Sequence, residues 1–196
     1  MINPFIRSGV VCILFLISIS GFAKTEQAIF AGGCFWCMEA DFDHLPGVIS
    51  TTSGYDGDTI KNPTYEQVSA GGTNYAESVL VEFDSNKISY KQLVDYFFRH
   101  IDPTTKDGQF CDQGRQYRSA VFYLNNEQKN TAETVKESLK HTFSELYTEI
   151  VPTTHFYPAE EYHQNYYQKN PIRYKYYRYR CGRDARVEEV WSHETH

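Results

Sequence analysis

Residues 28–42 read AIFAGGCFWCMEADF, and this stretch determines how the chain begins to fold. The apolar run from Ala28 to Ala31 ends at two glycines, and the residues from Cys34 to Phe42 can form a helix until a proline and a glycine stop it at positions 46 and 47. The pattern predicts a strand, a tight turn and a helix. A cysteine stands at the first turn of that helix.

Three further strands and a second helix are predicted along the next part of the chain. Val48 to Tyr55 is rich in β-branched residues, Ser78 to Phe83 alternates apolar and polar positions, and Ser119 to Leu124 is again apolar, so each predicts a strand. Ser89 and Gln92 form a capping box, and apolar residues follow it at helical spacing, which predicts a helix.

The order of these elements predicts the fold class. From Ala28 to Leu124 the order is β-α-β-β-α-β, that of an α+β protein with a ferredoxin-like core, in which helices pack on a mixed sheet. A helix over 126–141 and a strand over 147–151 follow. The rest is predicted to be a long irregular C-terminal segment that wraps the domain.

Composition and charge restrict the class of partner. The chain has 196 residues, of which 41% are hydrophobic, and this predicts one domain with an ordinary core. The formal charge is -6, and the basic residues are spread out apart from an aromatic and basic stretch at 174–180. Such a stretch can stack on single-stranded nucleic acid, but we predict no nucleic-acid partner for this acidic chain. We predict a monomer, since no extended apolar stripe is left over after the core is assigned.

The first 23 residues are predicted to be a signal peptide. Arg7 precedes an apolar run from Val10 to Ile19, and Gly21 and Ala23 are small residues at the positions that a cleavage site needs. The alternative is a membrane anchor, but a membrane span needs about 20 apolar residues, and the run from Val10 to Ile19 is well short of that. We therefore expect one domain over residues 24–196, exported to the periplasm or secreted, with no stable membrane association after cleavage.

Four cysteines remain after that cleavage, and two of them form a Cys-x-x-Cys motif. Cys34 lies where helix N–H groups stabilise a thiolate, and Cys37 is on the same face three residues later, near disulfide distance. A structural bridge or half of a zinc site is the bland alternative. Zinc is disfavoured because Cys111 and Cys181 are single, so we predict no metal. A thioredoxin-like exchanger also begins a helix in this way, but it usually carries its tryptophan before the first cysteine.

Several ordered motifs, spread from about Ala28 to Trp191, resemble the type A peptide methionine sulfoxide reductases. They are Gly33-Cys34-Phe35-Trp36, Asn62 to Val68 (NPTYEQV), Ala76-Glu77, Asp112 to Ser119 (DQGRQYRS) and Ala159 to Gln164 (AEEYHQ).

The resemblance implies an enzyme that reduces the S epimer of methionine sulfoxide in peptides and proteins. It implies Cys34 as nucleophile and Glu77 as acid, and the remaining polar and substrate-binding residues are Tyr65, Asp112, Tyr117, Phe35 and Trp36. A sulfoxide has an electrophilic sulfur, a basic oxygen and a small methyl group, so it needs a thiolate, a proton donor and an aromatic pocket. Burial must raise the pKa of Glu77 for it to donate a proton near neutral pH. No bound cofactor is implied, only an external dithiol of the thioredoxin-like type.

The second thiol of the cycle is open at the level of the sequence. Many members of the family have glycine at the position of Cys37 and resolve the sulfenic acid with a cysteine near the C-terminus. The spacing favours Cys37 as the first resolving thiol, with Cys181 as a second that relays the disulfide outward. A general disulfide exchanger and a non-catalytic, disulfide-stabilised binding module compete with the reductase, and neither requires Glu77. His163 is predicted to cap or pack, not to bind a metal.

Overall fold

The fold is a six-stranded mixed sheet with helices packed against it, in a computed structural model that describes residues 24–192. The predicted signal peptide lies outside the described residues. The eight strands are β1 Thr25–Gly32, β2 Val48–Asp56, β3 Ala76–Asp84, β4 Gly108–Gln109, β5 Asp112–Gln113, β6 Ser119–Tyr123, β7 Glu149–Pro152 and β8 Tyr157–Pro158. The seven α-helices are α1 Phe35–Asp43, α2 Tyr65–Ser69, α3 Tyr90–Arg99, α4 Asn126–Ser138, α5 Tyr166–Lys169, α6 Pro171–Cys181 and α7 Arg183–Trp191. No helix in this range is long and apolar enough to cross a bilayer.

The predicted ferredoxin-like core is confirmed. The strand order is β7-β6-β1-β3-β2-β8, in which the four strands β6, β1, β3 and β2 are antiparallel neighbours and β7 adds to β6 in parallel. β4 and β5 form a separate small hairpin. The capping box at Ser89 and Gln92 is present, and α4 continues through a short 3-10 helix to His141.

The core lies where α1 and α3 pack on one face of the sheet. Alternate residues of β1 point to opposite faces. Phe30 stacks on Phe42 of α1 and on Phe97 of α3, with ring centroids 5.0 Å apart in both pairs. Ile29 and Ala31 pack in a second cluster with Phe122 of β6. β1 is therefore buried on both faces, and its end is a rigid support for the glycine turn that follows it.

The C-terminal segment is long, but the prediction that it is irregular is wrong, because α5, α6 and α7 occupy most of it. Pro171 stands at the start of α6, and Gly182 ends that helix in the left-handed conformation, with φ of 69°. The buried residues of the two longer helices are Tyr174 in α6 and Arg183 and Trp191 in α7. Because tyrosine and arginine are amphipathic, their helical spacing does not produce the apolar pattern from which a helix is predicted.

Candidate active site

A glycine turn places Cys34 at the start of α1. Gly33 has φ of +84°, and a Cβ atom there would lie 2.7 Å from Cβ of Gln109, so the turn needs glycine for both reasons. Cys34 is the N-terminal cap of α1, and its carbonyl oxygen accepts from N–H of Cys37 at 3.1 Å and of Met38 at 3.3 Å. The predicted position of the cysteine at the end of a strand and the opening of a helix is thus confirmed.

A cleft of about 80 Å³ gathers most of the predicted site residues. Its lining residues are Cys34, Phe35, Trp36, Tyr65, Glu77, Asp112, Tyr117 and Tyr177. They come from α1, α2, β3, β5, the short 3-10 helix at residues 115–117, and α6. All seven residues assigned to catalysis or substrate binding therefore lie together. Tyr177 was not predicted as a site residue.

Glu77 is a buried carboxyl group beside the cysteine. Its side chain accepts a hydrogen bond from N–H of Phe35 at 3.0 Å, and the residue is 2% exposed. The pKa of Glu77 is raised to about 8, mainly by burial; the nearby Asp112 and Cys37 add to the rise, and the Phe35 hydrogen bond opposes it. The carboxyl group is therefore protonated at neutral pH, as the predicted proton donor must be.

The two thiols of α1 differ in their protonation from what the helix N-terminus predicted. Burial raises the pKa of the Cys34 thiol well above its usual value, and the hydrogen bond to Cys37 raises it further. The prediction of a resting Cys34 thiolate is wrong, because the loss of solvent outweighs the helix N-terminus. That hydrogen bond lowers the pKa of Cys37, with Arg183 and Arg178 contributing in the same direction. The two thiols thus share one hydrogen bond at the start of α1.

Asp112 and three phenols complete the polar side of the cleft. Tyr177 Oη donates to Asp112 Oδ2 at 2.5 Å, and burial raises the pKa of this carboxyl group while the Tyr177 bond opposes the rise. Burial raises the pKa of Tyr65 to about 12 and raises that of Tyr117. Both phenols are therefore neutral hydrogen-bond donors at physiological pH.

The AEEYHQ motif lies behind the cleft and supports two of its walls. Glu160 accepts from the backbone N–H of Tyr65, the first residue of α2, at 2.9 Å. His163 Nδ1 accepts from Nε1–H of Trp36 at 3.0 Å. Trp36 also stacks on Tyr166, with ring centroids 3.7 Å apart and planes 7° from parallel. Sequence reasoning found this motif but assigned no role in the site to Glu160 or Tyr166.

Cys181, predicted as a second resolving thiol, is joined to Cys111 in a disulfide bond. Cys34 and Cys37 are free thiols. Cys111 is exposed and adjoins Asp112, and Sγ of Cys181 lies 4.0 Å from Asp112 Oδ2. Cys111, Asp112 and Cys181 place three potential metal ligands within 4.8 Å of one another, but the two sulfurs are bonded to each other.

Comparison with known proteins assigns the family. Residues 26–195 match the family described as "Peptide methionine sulfoxide reductase". The chain is 48% identical over 173 residues to "Peptide methionine sulfoxide reductase MsrA/MsrB" of Vibrio cholerae, covering 87% of this chain but only 46% of that longer relative. It is 45% identical over 185 residues to "Peptide methionine sulfoxide reductase MsrA 2" of Rhizobium meliloti, covering 94% of this chain and 92% of the relative.

The fold matches a solved structure of the same kind. "Methionine sulfoxide reductase A of Corynebacterium diphtheriae" superposes with a TM-score of 0.73 and 33% sequence identity, covering 76% of each chain. The motifs, the gathered cleft and these matches over most of the chain agree. The chain belongs to the peptide methionine sulfoxide reductase family.

Proposed function

We propose that this chain reduces the S epimer of methionine sulfoxide, free or in peptides and proteins, to methionine. The observation that carries the proposal is one small cleft that holds the Cys34 sulfur, the protonated carboxyl of Glu77 and an aromatic wall. A disulfide exchanger or a binding module has no need for a buried, protonated carboxyl group beside its cysteine. Oxidised methionine occurs as two epimers that separate enzymes reduce, and the type A enzymes act on one of them.

The first step transfers oxygen from the substrate to Cys34. The Cys34 sulfur attacks the sulfoxide sulfur and its proton leaves to water, while Glu77 gives its proton to the sulfoxide oxygen. Oxygen moves from the substrate sulfur to the Cys34 sulfur, as the S–O bond of the substrate and the S–S bond formed in the attack both break. Methionine leaves, and Cys34 becomes a sulfenic acid. Phe35 and Trp36 hold the methyl group of the substrate. Tyr65 and Tyr117 donate hydrogen bonds to the oxygen.

The second step forms a disulfide within α1. The Cys37 thiol condenses with the Cys34 sulfenic acid, which gives a Cys34–Cys37 disulfide and water. The two protons of that water come from Glu77 and Cys37, and its oxygen comes from the sulfoxide. Two electrons have moved from the two thiols to the substrate, so each turnover requires one external dithiol.

The third step carries the oxidation to the surface. When Cys111 and Cys181 are reduced, exchange with Cys34–Cys37 restores the inner thiols and forms the outer Cys111–Cys181 disulfide. Support comes from burial: Cys34 and Cys37 are 6% and 2% exposed, whereas Cys111 is exposed. A protein reductant reaches an exposed disulfide more easily than a buried one.

The external reductant in this proposal is a thioredoxin-like dithiol protein, and no prosthetic cofactor takes part. A solved structure titled "Crystal structure of Mxr1 from Saccharomyces cerevisiae in complex with Trx2" is 25% identical to this chain, with a TM-score of 0.53. We further propose that the chain acts as a monomer after export, in the periplasm or outside the cell, where it repairs oxidised exported proteins.

The number of methionines released per chain tests two things together: the proposed function, and the relay of the disulfide from Cys34–Cys37 to Cys111–Cys181. The chain, reduced at all four cysteines of residues 24–196 and then freed of reducing agent, is mixed with excess S-epimer sulfoxide. We expect two methionines per chain, one for each cysteine pair, and none from the R epimer. The Cys111→Ser, Cys181→Ser double variant should give one. One methionine from the wild type would reject the relay, and none would reject the reductase function.

A further inference from the structure

One imidazole lies behind three of the aromatic rings that line the cleft. His163 is 1% exposed, and its ring centroid lies 4.4 Å from that of Tyr65, 4.9 Å from that of Phe35 and 5.7 Å from that of Trp36. His163 does not line the cleft itself. It can therefore act on the substrate only through the rings in front of it.

The contact with Trp36 fixes which nitrogen of His163 carries the proton. Nδ1 accepts the indole N–H at 3.0 Å, so the proton of the neutral ring is on Nε2. Nε2 is buried and has no hydrogen-bond partner among residues 24–192. Burial lowers the pKa of His163, with opposing contributions from Glu160 and Glu66, so the ring stays neutral. Protonation at Nδ1 would point one N–H at another and break the contact.

The indole of Trp36 has few other restraints. One face stacks on Tyr166, and the ring of Tyr177 meets it edge-on at 6.0 Å. Stacked rings can slide and rotate in their own plane, whereas a hydrogen bond at Nε1 fixes that rotation. Only His163 makes a hydrogen bond to this side chain among the described residues.

We propose that His163 is a positioning residue that sets the orientation of the Trp36 indole, and through it the shape of the pocket for the substrate's methyl group. The role rests on the proposed function for its consequence in catalysis. The hydrogen bond between His163 and Trp36 does not depend on that function. This role differs from the capping or packing role that the sequence predicted. Positioning depends on the Nδ1 acceptor of His163, whereas packing depends on its ring.

Two substitutions separate the roles. His163→Phe keeps a ring against Phe35 and Tyr65 but removes the acceptor for Trp36. His163→Asn keeps an acceptor near the position of Nδ1 but removes the ring. If His163 positions Trp36, His163→Phe is the more damaging change. If the imidazole only packs, His163→Asn is the more damaging change and His163→Phe is tolerated.

The kinetic test is a single turnover of the reduced chain over a range of sulfoxide concentrations. We expect His163→Phe to raise the half-saturating concentration roughly three- to tenfold, the value of one neutral hydrogen bond, with a smaller effect on the maximal rate. His163→Asn should recover most of the loss. In a Trp36→Phe background, where no indole N–H exists, His163→Phe should add little. An undiminished effect in that background would overturn the proposal, as would the reverse order of the two variants.

A fluorescence test needs no activity. The chain has two tryptophans, so Trp191→Phe leaves emission from Trp36 alone. We expect acrylamide to quench that emission more strongly when His163→Phe is added, and we expect no change with the control His155→Phe, which alters an exposed histidine. Unchanged quenching with His163→Phe would overturn the positioning role. Increased quenching in a chain that reduces no sulfoxide would reject the proposed function and leave the positioning role intact.

Discussion

Burial sets the protonation of the two residues on which the chemistry depends. Both Glu77 and Cys34 hold their protons near neutral pH, because the cleft removes the water that would stabilise their charged forms. The carboxyl group therefore supplies a proton, and the thiol loses its proton only as it attacks. Loss of the Cys34 proton thus belongs to the reaction step, not to the resting state.

The first prediction concerns Glu77. The single-turnover rate should be highest while Glu77 is protonated and should fall as the pH rises through about 8, the value to which burial raises its pKa. Glu77→Gln should lower the rate roughly 10²- to 10⁴-fold and remove this alkaline fall. Stopped-flow mixing of the reduced chain with sulfoxide, over a series of pH values, measures both effects.

Glu82→Gln is the matched control for that experiment, because Glu82 lies on the same strand but bonds to Ser50 away from the cleft. It should behave as the wild type. A wild-type rate that climbs steadily to pH 9 would contradict a protonated Glu77 and favour a rate limited by ionisation of Cys34.

Sequence reasoning found the site residues that stand in recognisable motifs and missed those that do not. Cys34, Glu77 and Asp112 each lie in a short motif with a fixed setting. Tyr177 lies in a tyrosine-rich helix, where nothing local distinguishes it from its neighbours. Its role depends on α6 folding back against Asp112, and this contact spans 65 residues of sequence. The pKa of Cys34 could not be predicted for a related reason, since burial is a property of the assembled cleft.

At the scale of elements, the turn between β1 and α1 fixes where the catalytic thiol lies. Gly33→Ala requires a side chain at φ of +84° and a contact of 2.7 Å with Gln109. We expect a loss of roughly 1–3 kcal/mol in the free energy of unfolding, together with a reduced single-turnover rate. Gly72→Ala is the control, because a Cβ there meets nothing within 4 Å. Equal urea midpoints for the two variants would show that the turn is not constrained.

The Cys111–Cys181 disulfide joins the β4–β5 hairpin to the end of α6 across 70 residues of sequence. Its removal by Cys111→Ser with Cys181→Ser should lower the free energy of unfolding by roughly 2–4 kcal/mol, because the unfolded chain regains the freedom of a long loop. Urea unfolding without reducing agent measures this loss. Cys37→Ser, which breaks no cross-link, should cost less, and a comparable loss from it would contradict the assignment.

The regular elements of the core could be predicted because local pattern and tertiary fold agree there. β1, β3 and β6 alternate or run apolar, β2 is rich in β-branched residues, and α3 begins at a capping box. The C-terminal helices could not be predicted in this way. Apart from Trp191, their buried positions are occupied by tyrosine and arginine, and these residue types usually indicate a surface.

At the scale of the whole molecule, Arg183 ties the C-terminal helices to the core. It is 2% exposed, and its guanidinium donates to carbonyl oxygens of Gly32 at 3.0 Å and His100 at 2.8 Å. The guanidinium carbon also lies 4.6 Å from the ring centroid of Phe110. One side chain thus joins α7 to the end of β1, to the end of α3 and to the loop before β5.

Arg183→Met should therefore destabilise the protein more than any surface change in the same segment. Two buried carbonyls would lose their donor, which costs roughly 2–4 kcal/mol in the free energy of unfolding. Thermal and urea unfolding would measure this cost. Arg180→Met, at an exposed position of α6, should stay near the wild type. A similar stability for Arg183→Met and Arg180→Met would contradict the account of Arg183 as the link between the C-terminal helices and the core.

The central claim is that oxygen passes from the sulfoxide to the sulfur of Cys34. Its most direct test is mass spectrometry of the triple variant Cys37→Ser, Cys111→Ser, Cys181→Ser. The sample is taken after one turnover with S-epimer sulfoxide labelled with heavy oxygen, and its sulfenic acid is trapped. The account predicts labelled sulfenic acid at Cys34 and one methionine released per labelled chain. Methionine released without heavy oxygen on Cys34, or released by a Cys34→Ser variant, would contradict it.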